Sequence, residues 1–72
     1  MRDIIGELSS LPPVMSISVD NDYEYITIYL KGNTIRYSTL ENINKILIDY
    51  DYYLYSVSIC SNHEQLQILG LR

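Results

Sequence analysis

Residues 23–31, Tyr-Glu-Tyr-Ile-Thr-Ile-Tyr-Leu-Lys, alternate over almost their whole length between apolar side chains and aromatic or hydroxylated ones. A period of two belongs to a β-strand, whose successive side chains point to opposite faces. One face would carry Ile26, Ile28 and Leu30 and reads as core. The other would carry Tyr23, Tyr25, Thr27 and Tyr29 and reads as a flat, hydroxyl-rich surface. A chain holding such a strand must give it a sheet, and must cover the apolar side with a second layer.

The rest of the chain supplies candidates for both. Ile4, Ile5, Leu8 and Leu11 recur at one-face helical spacing, which predicts a helix from Met1 to Leu11. Pro12-Pro13 stops it, because proline lacks the donor and restricts the residue before it. Val14 to Val19 alternates, with Met15, Ile17 and Val19 inward and Ser16 and Ser18 outward. Asp20-Asn21-Asp22 and Lys31-Gly32-Asn33 are turns by composition. Thr34 to Tyr37 reads as a return strand, with Arg36 outward. Ser38 and Glu41 have the spacing of a capping box. The helix they introduce runs to about Tyr50, with Leu40, Ile43, Ile46, Leu47 and Tyr50 on one face. Tyr52 to Cys60 and Glu64 to Leu71 read as two last strands around a Ser61-Asn62-His63 turn.

The expected fold is therefore a single two-layer α+β domain over 1–72, in the order α-β-β-β-α-β-β. Its five-stranded, mainly antiparallel sheet has both helices on one face. The uncovered face would present Ser16, Ser18, Tyr23, Tyr25, Thr27, Tyr29, Arg36, Ser56, Ser58, Gln65 and Gln67. Leu69 and Leu71 also fall outward in this register, which suggests a covered edge, a slipped register or a contact between subunits.

A domain this short buries only roughly 60% of its unfolded surface, so association is a common source of extra stability. Tyrosine offers much contact area for little entropy loss, and serine adapts its hydrogen bonds. The open face thus reads as a protein-binding surface, for a second copy or another protein, with Tyr23, Tyr25, Thr27, Tyr29, Arg36, Ser56 and Ser58 as contacts. The plainer reading is a solvated sheet, since Tyr and Thr are good strand residues.

A net charge of −4, with only five Lys and Arg, argues against nucleic acid, whose affinity comes mostly from phosphate neutralisation. One cysteine excludes an internal disulfide and suits a reducing compartment. No apolar run approaches a membrane span, and acids occupy the N-terminal stretch where a signal peptide is apolar. The expected location is cytoplasmic, in a host cytoplasm if the chain is viral; the many Ile and Asn suit an AT-rich genome.

No catalytic, cofactor or metal motif stands out, and no enzymatic activity or cofactor is expected. Asp20 could open a calcium loop, but its sixth and twelfth positions hold Tyr25 and Lys31 instead of Gly and Glu. Cys60 and His63 lack the further ligands that zinc requires. Asp49 and Asp51 flank a helix C-terminus, where carboxylates oppose the macrodipole by about 0.3–1 kcal/mol. In length, composition and charge the chain resembles in type the small acidic proteins with which phages and mobile elements inhibit host enzymes, some by imitating DNA phosphates. That resemblance implies an acidic patch, for which Asp20, Asp22, Asp49 and Asp51 are the candidates if they converge on one side.

Overall fold

The computed structural model describes residues 3–59 and 65–72. Its elements are α1 (Ile4–Ser9), β1 (Val14–Val19), β2 (Tyr25–Lys31), α2 (Tyr37–Asp49), β3 (Tyr53–Ile59) and β4 (Gln65–Leu71). The four strands form one sheet in the order β1-β2-β4-β3, with every neighbouring pair antiparallel. Both β2 and β3 run antiparallel to β4, so they are parallel to each other with β4 inserted between them. β2, α2 and β3 thus make a split β-α-β unit.

The sheet has four strands, not five, and the order is α-β-β-α-β-β. The expected strand at Thr34 to Tyr37 does not form. Both edges of β2 are already occupied, by β1 and β4, so nothing remains for this segment to pair with. It becomes the crossover, and Ile35 packs against the core from there. The capping box does not form either. α2 starts at Tyr37, ahead of Ser38, and its N-cap is Arg36, whose side chain makes no capping bond.

The core lies between the sheet and the helices. Ile26, Ile28 and Leu30 of β2 face Leu66 and Ile68 of β4, Ile4 and Leu8 of α1, and Ile43 and Leu47 of α2, all buried. Asp3 caps α1 by accepting the Ile5 N–H at 3.1 Å. The helix ends at Ser9, earlier than its apolar spacing suggests, and Ile5 is exposed. The Tyr50 hydroxyl donates to the Glu7 carboxylate and ties α2 to α1.

Both edge strands carry irregularities. The β1–β2 register shifts between Val14 and Ser16, and the β3–β4 register between Leu54 and Ser56. The first removes Met15 from the inward set, leaving it exposed. The second reverses the phase of β3. Leu54, Val57 and Ile59 pair with the core-side residues Gly70, Ile68 and Leu66, while Tyr53 pairs with the outward Leu71.

Gly70, near the end of β4, is a packing position. A Cβ there would sit 3.0 Å from Ile26 Cγ2 and 3.1 Å from Leu47 Cδ2. This is where β4 lets α2 approach. Gly70→Val is expected to lower the unfolding free energy by about 1–3 kcal/mol through overpacking, read as a lower urea midpoint at unchanged slope.

Candidate interface on the open sheet face

Paired residues on neighbouring strands share a face, so the register defines the uncovered surface. One row crosses all four strands as Ser18, Thr27, Leu69 and Ser56, and the next as Ser16, Tyr29, Gln67 and Ser58. Tyr25, Leu71 and Tyr53 form a third row at one end, and Lys31 with Gln65 a fourth at the other. The Gln65 side-chain amide donates to Met15 Sδ at 3.2 Å, which brings Met15 onto the same face.

This arrangement assembles Tyr25, Thr27, Tyr29, Ser56 and Ser58 as expected from the alternation. Two of the expected residues lie outside these rows. Tyr23 has φ 57° and precedes the strand. It belongs to a turn closed by the Asp20 carboxylate, which accepts the N–H groups of Glu24 at 2.6 Å and Tyr25 at 3.1 Å. Arg36 lies in the crossover at the start of α2, off the sheet. Tyr53 and Met15 join the face through the register shifts, for which the alternation gave no sign. Leu69 and Leu71 are outward, as their register indicated, and the reason is now visible. β4 is an interior strand, so its outward leucines lie mid-sheet and not at an edge, Leu71 between Tyr25 and Tyr53 and Leu69 between Thr27 and Ser56.

Thr27, at the centre, is buried by its neighbours alone. Tyr25 is 48% and Tyr53 53% exposed. The chain has five cationic and nine acidic side chains, yet Lys31 is the one charged residue in register on this face.

The acids occupy another region. Val19 pairs with Ile26, Tyr25 with Leu71 and Leu71 with Tyr53, so the β1–β2 turn and the α2–β3 junction share one end of the sheet. Asp20, Asp22 and Asp51 belong to those two connections, and Asp49 is the last residue of α2 beside the second. The Tyr52 hydroxyl joins the connections by donating to the Tyr23 carbonyl at 2.7 Å, and the Arg72 N–H donates to the Glu24 carbonyl. Asp20 is engaged by its own turn, as described above.

Asp51 has a local role too. With Tyr50 as the C-cap, the Tyr52 N–H donates to the Leu47 carbonyl at 2.8 Å and the Asp51 N–H to the Ile48 carbonyl at 3.0 Å. These bonds make a Schellman motif, with Asp51 at the left-handed position that glycine usually fills (φ 67°). Asp51→Gly is expected to raise stability by about 0.5–1 kcal/mol, the left-handed penalty less the entropy that glycine adds to the unfolded chain. A thermal or urea melt reads it.

Tyr52 is the buried tyrosine of this end. Burial pushes its pKa above the ordinary 10.0; the Arg72 guanidinium, 5.5 Å from the ring centre, opposes that, and Asp20 and Tyr23 add to the rise. A pKa raised by folding favours the neutral phenol in the native state. Its contribution to stability is therefore whole below the unfolded value and is lost as pH rises through the folded one. Tyrosinate absorbance should show one phenol, lost in Tyr52→Phe, ionising above the ordinary tyrosine value. Tyr52→Phe should cost about 1 kcal/mol at neutral pH and flatten the alkaline loss of stability.

No protein-family model, curated protein or solved structure matches the chain. Among the described residues, no helix is long and apolar enough to cross a membrane.

Proposed function

We propose that the protein is a non-catalytic interaction module that pairs with a second copy of itself through the open sheet face. The observation behind this reading is the near absence of charge on a surface spanning four strands, in a chain that carries −4 overall. A two-fold contact sets the same patch against itself. Acidic patches placed so would repel, whereas a Tyr, Ser, Thr and Leu surface meets its copy without like-charge cost. Leu69 and Leu71, flanked by Tyr25, Tyr29 and Tyr53, supply apolar area where an interface core needs it. The acidic end would stay in solvent. A reducing cytoplasm suits this reading, given the single cysteine.

Sedimentation velocity over a range of concentrations tests it. The native chain is expected to sediment as a dimer. Tyr25→Ala with Tyr29→Ala, or Leu69→Glu, should give a monomer of unchanged far-UV circular dichroism. A native chain that stays monomeric at every concentration, or variants that dimerise as before, would refute the reading.

A second reading, an acidic inhibitor of a host enzyme, is favoured by Asp22, Asp49 and Asp51 sharing one end of the fold. Phosphate mimicry makes binding salt-dependent, as for DNA itself. Such an inhibitor would displace duplex DNA from its target, and Asp22→Asn with Asp49→Asn would abolish the displacement while Tyr25→Ala would not.

A further inference from the structure

The end of the sheet opposite the acids holds a hollow of about 720 Å³, lined by Pro12, Pro13, Lys31, Ile35, Arg36 and Thr39 among others. That volume falls within the range of small-molecule sites, roughly 300–1,000 Å³. Its chemistry divides in two. Pro12, Pro13 and Ile35 give it apolar walls. Lys31 and Arg36 bring two of the chain's five cations to one concavity, and neither makes an ion pair among the described residues. Two cations lining one hollow, without an ion pair among the described residues, offer a place for an external anion. The start of α2 adds to the same field, since Arg36 offers no side-chain cap to the first-turn N–H groups. Glu41, in the second turn of α2, lines a separate hollow with Tyr37, Leu40 and Asn44.

We propose that this hollow binds a small organic anion. Its oxyanion, phosphate or carboxylate, lies between Lys31 and Arg36, and its apolar body rests on Pro12, Pro13 and Ile35. Arginine matches either oxyanion with two parallel hydrogen bonds, and lysine adds a point charge. The backbone at Gly32, with φ 81° and open space where a Cβ would be, leaves the approach unobstructed. The observations behind this site are other than those behind the dimer reading. The site uses the crossover and the β2 terminus, and Lys31 is its one residue on the open face.

The test is a titration of the full chain, labelled with nitrogen-15, against inorganic phosphate, phenyl phosphate and benzoate in turn. Saturable amide shifts are expected at Gly32, Ile35, Arg36 and Thr39. The aromatic anions should bind more tightly than inorganic phosphate because they use the apolar walls. Whether phenyl phosphate or benzoate saturates first identifies the oxyanion. Lys31→Gln and Arg36→Gln alter exposed side chains and leave the core intact. Each should weaken binding by about ten-fold, the scale of a lost charge-assisted contact. Shifts that never saturate, that spread equally to Lys45 and Arg72, or that survive both substitutions would overturn the site. So would shifts at these amides that follow protein concentration without added anion, since a second copy's carboxylates would then fill the hollow.

Discussion

The pairing of β2 with β4 is the contact on which the rest of the structure rests. It joins the strand with the clearest alternation to the last strand of the sheet, in an unbroken register from Tyr25 with Leu71 to Lys31 with Gln65. On its inner side Ile26, Ile28 and Leu30 lie beside Gly70, Ile68 and Leu66, and form the floor on which both helices sit. On its outer side Tyr25, Thr27 and Tyr29 lie beside Leu71, Leu69 and Gln67. One ladder thus makes both the core and the open face, and a slip of one residue would exchange them. Closing it brings together segments far apart in sequence. The entropy of that closure is offset by the apolar area buried on its inner side.

The two ends of the sheet differ in charge for a topological reason. Connections lie at strand ends, and the order β1-β2-β4-β3 sends the β1–β2 turn and the α2–β3 junction to one end and the β2–α2 crossover to the other. Asp20, Asp22 and Glu24 lie in the first connection and Asp51 in the second, beside Asp49 at the end of α2, whereas Lys31 ends β2 and Arg36 lies in the crossover. The sheet between them is nearly free of charge on its outer side. This separation sets the acids apart from the open face.

Much of this was legible in the sequence, and the gaps have physical causes. The alternation from Tyr25 to Lys31 and the apolar face of α2 carry strong periods, and both elements formed with the faces expected. Thr34 to Tyr37 also alternates, but four residues cannot show whether a strand edge is free to receive them. That depends on β4, far along the chain. The displacement of Met15 and Tyr53 onto the open face comes from two residues opposing one across a ladder, a property of the pair and not of either strand. Tyr23 continues the alternation of β2, yet the Asp20 carboxylate holds the backbone there in a turn. That the elements carrying Asp20, Asp22, Asp49 and Asp51 share one end of the sheet follows from the strand order, which the sequence does not display.

The register shifts in β1 and β3 fall on the two strands that have an unpaired side. An unpaired strand with an even row of N–H and C=O groups is a template on which further chains can stack without limit. A bulge breaks the evenness of that row and twists the strand away from any newcomer. Both rims of this small sheet are spoiled in this way, so growth by adding strands is discouraged at each side. A chain that exposes many tyrosines is thereby steered away from the fibre its composition would otherwise invite.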